Sequence, residues 1–136
     1  MTKKAKLSED FSITDSIRFT QQDVYQLITA KAGLRTDQDL LLKYYGVTPE
    51  QIDKIYLAGA FGNYIQSGNA VAIGLLPDLE EKVVKIGNAA LAGAAEMLLS
   101  RRIRQDSELW ATRIEHTKPN EREPEFQYMI ADNMYF

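Results

Sequence analysis

Residues 54–58, Lys-Ile-Tyr-Leu-Ala, run without interruption into Gly59-Ala60-Phe61-Gly62-Asn63. A short apolar run bounded by polar residues and then glycine reads as a buried strand. Glycines directly behind a strand either let the backbone approach a ligand or only close a tight strand-to-helix turn. The chain then repeats the arrangement: Lys82 to Ile86 reads as a strand ending at Gly87-Asn88, and Asn88 caps a helix expected from Ala89 to about Arg104. Between the two strands, Ser67 is placed to cap a short helix over 68–73, with Gly74 as its stop and Pro77 beyond. A chain that alternates strand, glycine and helix in this way favours mixed layers over a bundle.

The remaining elements fit around that unit. Phe11, Ile13, Ile17 and Phe19 suggest short strands at 11–13 and 16–19. Thr20 with Asp23 three residues on resembles a capping box, so a helix is expected from Gln21. Its apolar stripe is Val24, Leu27, Ile28, Leu34, Leu41, Leu42 and Tyr45, and Gly46 offers a left-handed stop. Gly33 marks a bend, a break or a close packing contact. Thr48 caps a further turn with Pro49 in its first position. Residues 106–115 continue as polar helix or extended chain around Trp110 and Ile114. A charged connector spans 117–125, and a final short helix is expected over 126–133. The order α, β, α, β, α predicts mixed α/β layers.

Composition narrows the chemistry. The chain has 136 residues, enough for one domain or one lobe of a larger one. It contains no cysteine and one histidine, His116, so it cannot ligate an iron–sulfur cluster or build a multi-histidine metal centre. Its net charge of -3 is unlike the basic footprint of a nucleic-acid binder. No apolar run reaches the ~18 residues of a membrane span, and the start lacks the apolar middle of a signal peptide. A cytoplasmic protein without membrane or nucleic-acid partners is expected, with residues 1–9 a loose lead-in to a lobe over 10–136.

Three features could carry function. The first is Gly59 to Asn63, whose spacing matches neither a phosphate loop nor the dinucleotide fingerprint. The second is the small-residue face from Ala89 to Ala95 behind Asn88, which suits a close helix crossing at a hinge or a packed core. The third is Lys31, on or beside the apolar stripe of the first helix, which must snorkel, pair or reach a ligand. Arg101, Arg102 and Arg104 read as positive charge at the end of a helix. His116 reads as a solvated surface residue.

The residues also carry a resemblance. FTQQDVYQLITAKAG at 19–33, GVTPEQIDKIYLAGAFGNYIQSGNAVAIGLLPD at 46–78 and VVKIGNAALAGAAEMLLS at 83–100 are similar, in order and spacing, to the C-terminal part of the reductive activators of corrinoid proteins. These belong to the superfamily of actin, Hsp70 and sugar kinases. The resemblance implies a ribonuclease-H-like, actin-like ATPase lobe, incomplete at this length and extended by C-terminal helices. It implies a function in returning cobalt(II) corrinoid to cobalt(I) for corrinoid-dependent methyl transfer, driven by ATP with Mg. An iron–sulfur cluster in a separate N-terminal domain would donate the electron. The implied partners are a corrinoid protein and the remaining lobes of the full-length protein, and a homo-oligomer is left open.

By the same resemblance, Gly59, Ala60, Phe61, Gly62 and Asn63 match the adenosine-side loop, and Asn88 begins the helix that lines the hinge. Gln26 and Lys31 lie on a helix approaching the nucleotide. Where the family's loop reads Gly-Gly-Phe-Gly, this chain carries Ala60, whose methyl narrows the approach. Such a half-site alone is not expected to hydrolyse ATP, because the phosphate loops and metal-holding acids belong to the opposite lobe. Two other readings fit the pattern: a docking module whose glycine loop is only structural, and an activator of a 2-hydroxyacyl-CoA dehydratase type system. The second is weakened by the missing cysteines.

Overall fold

The longest helix begins where its cap dictates. Thr20 Oγ1 accepts from the Asp23 amide at 3.3 Å, and Asp23 Oδ2 accepts from the Thr20 amide at 2.8 Å, closing the expected capping box. From there α1 (Gln21–Tyr45) runs 25 residues and stops at Gly46, whose φ of 68° turns the chain left-handed. It passes straight through Gly33, where an added Cβ would meet nothing within 4 Å, so that glycine is neither a break nor a close contact. The computed structural model describes residues 10–135, and the expected lead-in over 1–9 lies outside them.

Ahead of α1, strands β1 (Phe11–Ser12) and β2 (Arg18–Phe19) form a small antiparallel hairpin in which Phe11 pairs with Phe19. After α1, a 3-10 turn at Pro49–Gln51 leads to β3 (Ile55–Ala58). The chain then makes α2 (Gly59–Tyr64), α3 (Ser67–Ala72), a second 3-10 turn at Glu80–Lys82 and β4 (Val83–Gly87). Strands β3 and β4 lie parallel, so this stretch is a βαβ crossover.

Four local expectations change here. The glycine-rich stretch is helix, not loop: α2 starts at Gly59 directly behind the strand. Its Gly62 is buried, and a Cβ there would stand 3.2 Å from the Leu57 backbone and Cβ, so only glycine lets the helix lie this close to β3. Ser67 does not cap α3; its hydroxyl bonds Glu80 Oε1 at 3.0 Å, tying α3 to the turn before β4. The expected single helix over 89–104 is broken at Ser100 into α4 (Ala89–Leu99) and α5 (Arg101–Ala111). Ser100 is extended, with φ -131° and ψ 115°, and its Oγ accepts from the Ile103 amide at 3.3 Å to start the new helix. Arg101, Arg102 and Arg104 therefore open a helix instead of closing one, and helix-dipole complementarity does not explain them.

The fourth change is burial. The strand expected to be buried is half-open: Ile55 and Leu57 are partly covered, whereas Tyr56 is exposed, because among the described residues β3 has β4 as its one strand neighbour. The charged connector holds the short helix α6 (Pro119–Arg122), and the expected last helix is present as α7 (Phe126–Asp132). It packs along α1.

The core gathers on one side. Val24, Ala32 and Leu40 of α1 are buried, as are Ala70 and Leu76 of the crossover, together with the polar Lys31 and Thr36. The other side is open, and no residue of α4 is buried. The chain exposes 10848 Å2, against about 7200 Å2 for a compact chain of 15.4 kDa. No helix among the described residues is long and apolar enough to cross a membrane.

Candidate functional site at the ends of the parallel strands

Parallel pairing decides which sequence features meet. Ile55, Tyr56 and Leu57 pair with Val83, Val84 and Lys85, and Ala58 then pairs with Gly87, skipping Ile86. The irregularity bends the strand end and re-aims the chain that leaves it. Because Ala58 and Gly87 are partners, Gly59 and Asn88 leave the same carboxyl edge of the sheet side by side. That edge is where open α/β sheets place their ligands. The two glycine junctions picked out in the sequence thus form one place in the fold.

At this edge Gly59 has φ 84°, and an added Cβ would meet nothing within 4 Å, so the backbone is open to close approach. Ala60 and Asn63 are exposed, and Phe61 is 72% exposed, its ring free on the surface of α2. Lys85 of β4 donates to the Asn63 carbonyl at 3.2 Å and ties the end of α2 to the neighbouring strand. Asn88 Oδ1 accepts from the Leu91 amide at 3.0 Å, the expected cap of α4.

Lys31 and Gln26 have a different setting. Gln26 is exposed on α1. Lys31 is only 3% exposed, and its ammonium donates to the carbonyl of Asn133 at 2.7 Å and to that of Tyr135. Burial lowers its pKa, and the nearby positive charge of Arg35 lowers it further. Of the three fates open to it, Lys31 takes hydrogen bonding to its own chain. Beside it, Asn133 Nδ2 donates to the fully buried Thr36 hydroxyl at 3.1 Å, and Arg35 pairs with Asp39 at 3.0 Å. The sequence gives no sign of this cluster apart from a lysine on an apolar stripe, because its main partners are backbone carbonyls about a hundred residues away.

A separate cleft of about 410 Å3 lies between α1 and β3. Leu34, Leu41, Leu42, Ile55, Leu57 and Leu76 give it an apolar lining. No group of three or more His, Asp or Glu able to hold a metal ion occurs among the described residues.

A parallel βαβ unit with two glycine junctions opening at one sheet edge defines a mixed α/β lobe. The family described as the C-terminal domain of RACo, the ASKHA domain, matches residues 2–136, and the chain belongs to it. The chain is 46% identical over 86 residues to the corrinoid activation enzyme RamQ of Eubacterium limosum, covering 62% of this chain and 14% of that protein. It is 31% identical over 85 residues to the Co(II) methylated amine-specific corrinoid protein reductase of Methanosarcina barkeri, covering 62% of this chain and 16% of the relative. A solved structure of a reductive activator for corrinoid, iron-sulfur protein superposes with a TM-score of 0.79 at 30% identity, over 88% of this chain and 19% of the other. The chain therefore spans a fifth or less of the length of these relatives.

Proposed function

We propose that residues 10–136 act as the C-terminal, ribonuclease-H-like lobe of a longer, cytoplasmic, ATP-dependent activator that returns cobalt(II) corrinoid to cobalt(I), a one-electron reduction serving corrinoid-dependent methyl transfer. The observation that carries this reading is the family match along residues 2–136, joined to a sheet edge where Gly59 and Asn88 emerge together. Gly59, Ala60, Phe61, Asn63 and Asn88 would face the nucleotide, with Gln26 approaching from α1, while the buried Gly62 serves to seat α2 against Leu57. Lys31 is left out of that contact set because its ammonium is engaged by the C-terminal carbonyls.

The open backbone at Gly59 and the free ring of Phe61 fit an adenosine held against α2. ATP with Mg would then be gripped between this lobe and another, which would supply the phosphate and metal contacts. The reducing iron–sulfur cluster needs thiolates, and this chain has none, so it belongs to a different segment. The exposed outer face of β3 and the uncovered leucines of α4 are the surfaces that the rest of the activator would cover.

Calorimetric titration of Mg·ATP into this chain and into the full-length protein tests the reading. Binding by the full-length protein with little or none here fits a half-site. Absence of binding in both would overturn it. In the full-length protein Phe61→Ala, which removes an exposed ring, is expected to weaken ATP binding without changing the folded fraction. Unchanged affinity would sink the residue assignment while leaving the family intact.

A further inference from the structure

Lys31 stands where three stretches of chain meet. Its ammonium donates to the Asn133 carbonyl at 2.7 Å and to the Tyr135 carbonyl. A Cβ built at Gly74 would lie 3.4 Å from Nζ, so that turn stands close to the ammonium. Gly74 is the left-handed turn, φ 74°, that ends α3 in the β3–β4 crossover. Two turns further along α1, Gln38 Nε2 donates to the Leu75 carbonyl at 3.1 Å, gripping the same turn. Asn133, at the tail, also bonds Thr36 at 3.1 Å and reaches Asp39 Oδ2 at 3.5 Å. One stretch of α1, residues 31–39, therefore holds both the C-terminal segment and the crossover, and Lys31 is bonded to the first while standing beside the turn of the second.

An ammonium has three donors, and burying it is costly unless they are met. The tail carbonyls meet two of those donors and hold the ammonium beside Gly74. Without the tail, those two donors would lose their partners and the ammonium its hold beside the turn. If the Gly74 turn shifted, the lysine would lose the position from which it reaches the tail.

We infer that Lys31 is a positioning residue that couples the seating of the C-terminal segment to the conformation of the β3–β4 crossover. The crossover carries α2 and α3, and the part of it that Lys31 and Gln38 hold is the turn after α3. The inference does not depend on the function proposed above.

Hydrogen–deuterium exchange on the full-length protein tests it without any ligand. Lys31→Met keeps the apolar stem and removes the charge. Exchange should rise roughly ten- to hundredfold in both 70–76 and 126–135, the factor carried by a lost hydrogen bond to a charged group, while the 11–19 hairpin stays unchanged. Coupling is reciprocal, so a change made at either end must be felt at the other. Gly74→Ala should speed exchange in 126–135, and Asn133→Ala should speed it in 70–76. Should Lys31→Met fail to fold, these two variants decide. Exchange confined to the substituted segment overturns the coupling. A uniform rise that includes the hairpin also overturns it, by making Lys31 a residue of general stability.

Discussion

The α1 side and the β4–α4 side of the molecule solve the burial problem differently. Along α1, Leu40 is 0% exposed, Thr36 and Lys31 are buried with hydrogen-bond partners, and α7 lies over the helix. On α4, a more apolar stretch whose one charged residue is Glu96 leaves Leu98 81% and Leu99 87% exposed, and α5 is its main packing neighbour. Apolar patches of this kind mark surfaces made to be covered. A parallel sheet has the same need, since such sheets are found almost only with both faces covered. The contrast separates the surface that this chain buries for its own stability from the apolar surface that it leaves uncovered.

The largest expected effect breaks the comparison most directly. Leu40→Ala should destabilise the protein by about 2–5 kcal/mol, as deletions at fully buried sites do. Leu98→Ala in the isolated chain should stay within about 0.5 kcal/mol of the parent. Urea denaturation of both variants compares them. Equal losses would mean that α4 is packed in the isolated chain. In the full-length protein Leu98→Ala should become costly, and a neutral outcome there would remove the covering surface proposed for α4.

Gly62→Val comes next. Its new side chain would press on Leu57, with the first carbon already 3.2 Å from that residue's backbone and Cβ. Overpacking of this sort costs about 1–3 kcal/mol. The damage should centre on α2 and β3 and spare the α1–α7 contact, as read by residue-level exchange. Loss of protection along α7 to the same degree would show that the two sides are one cooperative unit. Ser100→Ala is milder, at about 1 kcal/mol for a lost helix cap. It should reduce the helicity of α5 by circular dichroism; unchanged helicity would mean that the α4–α5 break does not rest on that cap.

How legible each element is in the sequence depends on how local its signal is. Thr20, Asp23, Gly46, Gly74 and Asn88 act within one helical turn, and each ends or begins an element as expected. Ser100 is harder to read because strong helix formers stand on both sides and a serine alone seldom stops a helix. Helix α2 lacks a side-chain cap and holds two glycines, so local propensity argues against it; the close seat on Leu57 decides. The sheet-edge site is legible as two separate glycine junctions, but only parallel pairing brings Gly59 and Asn88 together. Lys31 is legible as a residue needing a partner, yet backbone carbonyls at 133 and 135 leave no mark in a pattern of side chains. The half-open strand misleads because its composition matches a buried environment that this chain alone does not provide.

The smallest effect sharpens the comparison at the well-built end of α1. Asp23 accepts from the Thr20 hydroxyl at 2.7 Å and from the Thr20 amide at 2.8 Å, and these bonds, the hydroxyl's first, hold its carboxyl below the ordinary value of 3.8. A group with a depressed folded pKa binds fewer protons folded than unfolded near that value. Its stabilising effect is therefore complete above the unfolded pKa and is lost as pH falls through the folded one. Between about pH 5 and the folded pKa the first turn of α1 should become progressively easier to open. Asp23→Asn should flatten that acid dependence in exchange measured at residues 21–24, leaving α4 and α5 as they are. An acid limb that persists unchanged in Asp23→Asn would move the titrating group away from the cap.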